Sequence, residues 1–246
     1  MKPKMSDISN RIEMWLKAKF VESGASGVVI GLSGGVDSSV VAALAKRALG
    51  SAKVLGLLLP CESNAKDAER ARIMAKKLGI KTDMVDLTHT FREFGETLPE
   101  ADKKTLGNLK SRLRMLTLYY YANKNNSLVL GTSNKSEIAI GYFTKHGDAA
   151  ADLKPIGSLY KTQVLDLAKY LEIPEDIINA TPAAGLWDGQ TDEGEIGMSY
   201  AELDNILKSA ENGLRPAGAD AKKISLVKEM IKKSVHKRKL PEVCEM

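Results

Sequence analysis

Apolar residues in this chain form short continuous runs that alternate with longer stretches of helical spacing. The short runs are typical of strands buried on both faces, and they predict strands at about 27–32, 54–59, 82–87 and 127–130. The longer stretches predict helices at about 8–20, 38–49, 64–78, 106–124, 160–171, 199–210 and 219–234. Because strands alternate with helices, we expect an α/β fold with a doubly wound parallel sheet flanked by helices.

Two later segments, 141–158 and 181–198, have weak periodicity and are rich in small or polar residues. Loops of this length in a compact domain are usually functional or disordered. No internal repeat and no Pro- or Ser-rich linker divides the sequence, so we expect one domain over 1–246. Ligands of doubly wound sheets bind at the carboxyl ends of the strands, which directs attention to the residues that follow each strand.

Composition adds only broad limits. The chain has 246 residues, is 43% hydrophobic and 27% charged, and carries a formal net charge of +5, which is too small to indicate nucleic-acid binding. No apolar run reaches the ~18–20 residues of a membrane span, and the first residues lack the apolar core of a signal peptide. Cys61 and Cys244 have no metal-ligand spacing. These features predict a cytoplasmic protein with reduced thiols and no membrane partner.

The most specific motif follows the first predicted strand. Residues 33–38 spell Ser-Gly-Gly-Val-Asp-Ser and lead directly into an alanine-rich helix. Adjacent glycines let the backbone approach an anion closely, and the helix that follows directs its unpaired N–H groups at the same point. The motif therefore predicts a phosphate site.

The kind of phosphate chemistry follows from what the motif contains and lacks. No Lys follows the glycines, so the P-loop pattern is absent, and the dinucleotide pattern G-x-G-x-x-G is absent as well. Asp37 would repel phosphate unless a divalent cation lay between them, which predicts Mg²⁺. The S-G-G-x-D-S spelling resembles the pyrophosphate loop of the ATP-pyrophosphatase superfamily, whose members cleave ATP between the α- and β-phosphates.

A second cluster follows the fourth predicted strand, at 131–137. Thr132 is placed to donate to a nucleotide, and Glu137 is a candidate second metal ligand. The alternative is that Ser133 only caps the next helix and Glu137 is exposed. A third cluster at 141–148 mixes cations, acids and glycines, and we interpret His146 there as a surface residue.

Several motifs in one order resemble the ammonia-dependent NAD⁺ synthetases, from about residue 10 to the C-terminus. The similar segments are 108–115 (N-x-x-x-R-x-R-M), 131–137, 141–148, 152–156, 159–164, 185–197 and the terminal 236–238. The resemblance implies a Rossmann-like fold of the adenine nucleotide α-hydrolase type. It also implies that ATP adenylates the carboxylate of deamido-NAD⁺, and that ammonia then displaces AMP to give NAD⁺.

The resemblance also implies roles for individual residues. ATP would be held by Gly31, Leu32, Ser33, Gly34, Gly35, Val36, Asp37, Ser38, Thr132, Lys161 and Ala183. Mg²⁺ would be held by Asp37 and Glu137. Deamido-NAD⁺ would be contacted by Arg112, Lys145, Asp152, His236 and Lys237. The catalytic residues would be Asp37, Lys161 and Asp152.

Some of these roles also have a physical rationale, and two positions depart from the family pattern. Lys161 and Mg²⁺ would stabilise charge on the α-phosphate, and Asp152 or Asp148 could accept the proton of ammonia. Ala183 replaces a hydroxyl residue, so any ATP contact there would be through backbone. Residues 149–151 are all Ala, where the family often has Gly, which suggests a stiffer loop.

Other functions remain open at this point. One is another adenylating amidotransferase, such as the ATPase domain of a GMP synthetase, or a tRNA-modifying enzyme with the same loop. Another is a non-catalytic nucleotide-binding regulator, which would not need Asp37, Glu137 or Lys161. At 246 residues the chain has no room for an amidohydrolase domain, so free ammonia is expected as the nitrogen source. Residues 115–121 are apolar almost all round their helix, which favours a homodimer, with a helix packed between two layers as the alternative.

Overall fold

Four parallel strands form one sheet in the computed structural model, which describes residues 4–245. The strands are β1 (Gly27–Gly31), β2 (Val54–Leu58), β3 (Lys81–Met84) and β4 (Ser127–Leu130), in the order β3-β2-β1-β4. Val28 of β1 pairs with Val54 of β2 on one side and with Leu128 of β4 on the other. The order reverses at β1, which confirms the predicted doubly wound sheet.

Helices connect and flank the strands. Their bounds are α1 Met5–Ser23, α2 Val36–Leu49, α3 Ala65–Leu78, α4 Thr88–Glu96, α5 Lys103–Lys124, α6 Lys135–Ile140, α7 Lys161–Tyr170, α8 Glu175–Ile178, α9 Asp192–Ile196, α10 Tyr200–Glu211 and α11 Ala221–Lys233. None of those within residues 4–245 combines the length and apolarity that a bilayer crossing requires. The first three residues and the last, which the single-domain prediction includes, lie outside the described residues.

Strands β1 and β2 are buried on both faces, as their continuous apolar runs predict. Val28 and Ile30 of β1 belong to a core formed with α1, α2, α3 and α7, whereas Val29 between them belongs to a second core formed with α4 and α5. Successive side chains of a strand point to opposite faces, so one short strand supplies both cores. A smaller cluster joins α6, α9, α10 and α11 beyond the carboxyl edge, with Leu203 at 0% exposure.

The third strand departs from its prediction. It covers Lys81–Met84 instead of 82–87, and all four of its residues are exposed at the sheet edge. The backbone amides of Val85 and Leu87 still donate to the carbonyls of Leu58 and Pro60, at 3.0 and 2.7 Å, but no regular ladder continues. An edge strand is half solvated, so its apolar pattern does not mark its end.

Three further differences concern helices. Helix α4 was not predicted, although Leu87, Phe91 and Phe94 have the spacing of one helix face. Helix α2 begins at Val36, two residues before the predicted 38, so that the Asp37 backbone is already helical. The segment 181–198, predicted as a loop, ends with the short helix α9.

Candidate active site

The loop between β1 and α2 is held by its own serine hydroxyls. Ser33 and Ser38 place their Oγ atoms 3.1 Å apart, and the Gly35 amide donates to the Ser33 hydroxyl at 3.3 Å. The hydroxyls of Ser38 and Ser39 donate back to the Gly35 carbonyl, at 3.0 and 2.9 Å. These hydrogen bonds hold the loop against the N-terminus of α2, which begins at Val36. The first-turn N–H groups of a helix have no partners within the helix.

Gly34 is required by two features of this loop. Its φ is +79°, in the left-handed region, and a Cβ placed there would lie 2.2 Å from the Asp67 carbonyl oxygen of α3. Arg70 of α3 donates to the Gly34 carbonyl at 3.1 Å and pairs with Asp67. Helix α3 thus clamps the glycine turn, and no larger residue fits without moving backbone.

Three charged side chains meet beneath this loop. Lys161, at the start of α7, pairs directly with Asp37 Oδ2, and its Nζ lies 3.8 Å from Glu137 Oε1. The Lys161 side chain is 3% exposed, and those of Asp37 and Glu137 are 18% and 15% exposed. The three residues come from α2, α6 and α7, so the sheet edge assembles them from distant parts of the sequence.

Asn134 joins the two carboxylates. Its Nδ2 donates to Asp37 Oδ1 at 3.0 Å and to Glu137 Oε1 at 2.7 Å. Its Oδ1 accepts from the Glu137 amide, while Glu137 Oε2 accepts from the Asn134 amide at 3.2 Å, which makes a capping box. The cap of α6 and the spacing of the two acids therefore depend on one side chain. Asn134 had no role in the sequence-based prediction, although it lies in the 131–137 run.

The electrostatics of this cluster favour one more positive charge. Burial, and then the Asp37 carboxylate, raise the pKa of Glu137 to about 8, against the attraction of Lys161. Burial alone would lower the pKa of Lys161, but Asp37 and Glu137 outweigh it and raise that pKa above its usual value. Two carboxylates thus share one ammonium in a poorly solvated place.

The donor set fits a divalent cation of the Mg²⁺ type. Both acids present hard oxygen ligands, and both accept a hydrogen bond from Asn134 Nδ2, which keeps them near each other. Among residues 4–245, no group of three or more His, Cys, Asp or Glu side chains is arranged to hold a metal ion. A cation here would accordingly take the two carboxylates together with oxygens from water or phosphate, which is how Mg²⁺ is commonly bound.

A cavity of about 330 Å³ opens above this cluster. All of the predicted nucleotide residues except Gly34 line it, together with Glu137. Residues 180–186 form the wall opposite the loop, and we call them the cover segment. Asp67, Arg70 and Arg114 also line the cavity and were missed from sequence.

Arg114 ties two walls of this cavity together. Its guanidinium donates to the Leu59 carbonyl at 3.2 Å and to the Ser63 hydroxyl at 3.0 Å, and so links α5 to the segment after β2. The R-x-R pattern at 112–114 is the signal that could have identified it.

The predicted dinucleotide residues lie on the surface outside this cavity. Arg112 is exposed on α5 and donates to the Lys145 carbonyl at 3.2 Å. Lys237 reaches the carbonyls of Gly141 and Phe143, at 2.8 and 2.7 Å, and His236 beside it is exposed. The structure therefore places Arg112 and Lys237 against the 141–148 segment, which contains Lys145.

Asp152 has local partners. Its Oδ2 accepts from the Val129 amide at 2.7 Å, and its Oδ1 accepts from the Tyr119 hydroxyl at 3.3 Å. Burial, and then Asp152, raise the pKa of Tyr119 to about 12, so the tyrosine stays a donor. Asp148, by contrast, lines the cavity, where its Oδ1 accepts from the Ser111 hydroxyl at 2.7 Å.

Comparison with known proteins finds relatives that match almost the whole chain. A family model described as NAD synthase matches residues 8–241. The chain is 49% identical to the NH(3)-dependent NAD(+) synthetase of Methanocaldococcus jannaschii, with 98% of each chain covered. It is 45% identical to the protein of the same name from Carboxydothermus hydrogenoformans, with 99% of each chain covered.

Solved structures give the same result. An NMN synthetase from Francisella tularensis superposes with a TM-score of 0.92 at 36% identity and covers 100% of both chains. The NH3-dependent NAD synthetase of Campylobacter jejuni superposes with a TM-score of 0.87 at 34% identity over 99% of this chain and 100% of its own. With the family model and these relatives matching almost the whole sequence, the chain belongs to the NAD synthase family.

Proposed function

We propose that this enzyme uses ATP to amidate deamido-NAD⁺ with ammonia, giving NAD⁺, AMP and pyrophosphate. The observation that carries the proposal is the buried cluster of Asp37, Glu137 and Lys161 beneath a Ser-Gly-Gly-Val-Asp-Ser loop. A nucleotide-binding regulator would have no need to bury two acids against one lysine, since such burial is costly. The matching relatives support the same reaction.

The first step is adenylation. The N-terminus of α2 and the glycine turn face the cavity and suit the β- and γ-phosphates, which leave together as pyrophosphate. A carboxylate oxygen of deamido-NAD⁺ attacks the α-phosphorus, and the bond from that phosphorus to the bridging oxygen breaks. Lys161 directs its ammonium at the same end of the cavity and would stabilise the negative charge that develops on the phosphate oxygens.

Asp37 and Glu137 are the residues that would hold Mg²⁺. A cation bound there would neutralise phosphate charge and orient the triphosphate. Asn134 donates to both carboxylates and so would hold them side by side for a shared cation. Thr132, at the end of β4, lines the cavity beside them and offers a hydroxyl to the nucleotide.

The second step is amidation. Neutral ammonia attacks the carbonyl carbon of the adenylate, the carbon–oxygen bond to AMP breaks, and one proton must leave the nitrogen. We propose Asp148 as the acceptor in preference to Asp152. Asp148 lines the cavity, whereas both oxygens of Asp152 accept hydrogen bonds from Val129 and Tyr119.

We further propose a homodimer in the cytoplasm, with α5 at the interface. Leu116 and Tyr120 are each 63% exposed on this helix, on the side away from the sheet. Burying such apolar surface against a second copy would be favourable by roughly 25 cal/mol per Å². Arg112 lies on the same helix, so a partner there would also help to enclose the dinucleotide residues.

The reaction is tested by supplying ATP, Mg²⁺, deamido-NAD⁺ and ammonium to the purified protein. We expect NAD⁺ and AMP in equal amounts, measured by liquid chromatography. ADP as the nucleotide product, or the absence of NAD⁺, would contradict the proposal. A matched reaction without ammonium should yield little NAD⁺, although the adenylate can still form because that step does not use ammonia.

The assay should also include nicotinate mononucleotide as a second candidate substrate, because one protein of similar structure is named an NMN synthetase. Its product lacks the adenylate half of NAD⁺, so the corresponding acid is nicotinate mononucleotide. We expect kcat/KM to favour deamido-NAD⁺ by at least about 10-fold, since a site built for polar groups discriminates against a substrate that lacks them. A preference for the mononucleotide would reassign the substrate while leaving the adenylation chemistry intact.

A further inference from the structure

The first amides of helix α7 are capped by side chains of two other helices. Tyr160 precedes α7 and makes no side-chain cap. The Lys161 amide donates to the Ser136 hydroxyl of α6 at 2.9 Å. The Thr162 amide donates to Asp204 Oδ2 of α10, also at 2.9 Å. The amides that a helix start leaves without partners are therefore satisfied here from α6 and α10.

Ser136 and Asp204 are also bonded to each other. The Ser136 hydroxyl donates to Asp204 Oδ1 while it accepts from the Lys161 amide, so one hydroxyl links both partners. Ser136 is 0% exposed and Asp204 is 1% exposed. A carboxylate in this place also suits the positive end of the α7 dipole. Helices α6, α7 and α10 are thus joined by one small network inside the protein.

This network holds the backbone of two charged residues of the candidate site. Ser136 directly precedes Glu137, and Lys161 supplies the amide that Ser136 accepts. Asp204 and Ser136 do not line the cavity, so they act only on where the Glu137 and Lys161 side chains begin. A lysine side chain is a flexible four-carbon stem. The position of its ammonium consequently depends on how firmly its backbone is held.

The backbone anchor matters most when a cation is bound. Without one, the Lys161 ammonium pairs with Asp37 and lies 3.8 Å from Glu137 Oε1. A cation on these two carboxylates would compete for the same oxygens and repel the ammonium, so both ion pairs would weaken. The contacts of Ser136 and Asp204 are made to the backbone at the start of α7, so a cation would leave them intact.

We propose that Asp204, acting through Ser136 and the start of α7, is a positioning residue that keeps the Lys161 ammonium directed at the α-phosphate during adenylation. The inference rests on the proposed function, because it requires ATP and the cation site. It explains why a carboxylate is buried beside the site without touching the cavity. Burying an acid is costly, and both Asp204 oxygens are used to hold this network together.

A single turnover of adenylation tests this role. Enzyme in excess is mixed with labelled ATP, Mg²⁺ and saturating deamido-NAD⁺ without ammonium, and pyrophosphate release is followed over time. Because enzyme is in excess, the rate constant at saturation reports the chemistry of folded enzyme, and partial unfolding does not change it. Calorimetric titration with α,β-methylene ATP, which is not cleaved at the reacting bond, measures nucleotide affinity separately.

In Asp204→Asn we expect this rate constant to fall about 10-fold, while the affinity for the ATP analogue stays within about 2-fold. The amide keeps the shape of the side chain, but its nitrogen is a donor. It therefore cannot accept from both the Ser136 hydroxyl and the Thr162 amide as the carboxylate does. Ile206→Val is the matched control, because it changes a buried α10 side chain outside the network and should keep both values.

Two results would overturn the positioning role. One is a fall of less than about 3-fold in Asp204→Asn, and the other is an equal fall in Ile206→Val. If Asp204→Asn does not fold, as judged by circular dichroism, Ser136→Ala replaces it with the same expectation, because it removes the hydroxyl between Asp204 and the Lys161 amide. A wild-type enzyme that releases no pyrophosphate would contradict the proposed function, whereas an active wild type with unaffected variants contradicts this inference alone.

Discussion

The two halves of the candidate site are built differently. The nucleotide half is interior: Lys161 is 3% exposed and bonded to carboxylates from two other helices. The half that we propose for the dinucleotide is a rim of surface side chains, with Arg112 and His236 exposed. The charged groups proposed for adenylation are thus held by neighbouring side chains of the same chain, whereas Arg112 and His236 on the proposed dinucleotide side face solvent.

Preorganisation explains why the interior half needs its many hydrogen bonds. Charged groups fixed in a poorly solvated site stabilise a transition state without reorganising, but each must be held by neighbours. Asn134 and Tyr200 contact the Glu137 carboxylate in this way. The rim has fewer such constraints, so substitutions there should change binding more than chemistry.

The largest expected effect is in the interior half. Asp37→Asn keeps the shape but removes the charge that pairs with Lys161, so we expect kcat to fall by about 10³-fold or more. The measurement is AMP release at saturating ATP. Asp166→Asn, an exposed position on α7, is the matched control and should stay within 2-fold, or about 0.4 kcal/mol. A similar loss in both variants would contradict a specific role for Asp37.

The next effect tests whether the rim depends on a second copy. Leu116→Glu places a charge on the exposed side of α5, and we expect a monomer by light scattering and a KM for deamido-NAD⁺ raised by about 30-fold. Val21→Glu changes a residue that is 72% exposed on α1 and should leave mass and KM unaltered. A Leu116→Glu dimer would move the proposed interface away from α5.

Arg112→Ala sharpens the comparison from the substrate side. Loss of one charged contact should raise KM for deamido-NAD⁺ by about 10-fold and leave KM for ATP unchanged. Initial rates with each substrate varied in turn would separate the two constants. Arg72→Ala, at an exposed position of α3, is the control. Equal increases in both constants would mean that Arg112 supports the fold instead of the dinucleotide.

The smallest effect concerns Asp152, which the sequence assigned to the site. Asp152→Asn retains an oxygen for the Val129 amide, so we expect stability within about 1 kcal/mol and activity within a few-fold. Urea denaturation together with kcat would measure both. A loss of activity near that of Asp37→Asn, without a loss of stability, would restore Asp152 as the proton acceptor.

The sequence predicted the parallel sheet and most helix positions, since continuous apolar runs and helical spacing are local signals. It also singled out Asp37, Glu137 and Lys161, whose mutual contacts the structure now describes. It could not identify the partners of these residues. Tyr200 of α10 contacts Glu137, and Asp192 of α9 contacts Tyr200, through an arrangement of helices that no sequence spacing encodes. The end of the solvated strand β3 is likewise not marked by any apolar residue.

Asn134 has a consequence for how this protein can change over time. The atoms that begin helix α6 are part of the same side chain that spaces the two acids. A substitution there would damage folding and catalysis together, and a stabilising mutation elsewhere could repair only the first. Substitution of Asn134 is therefore opposed by both folding and catalysis. We expect Asn134 to vary less among functional descendants than Thr132, which lines the cavity two positions earlier in the sequence.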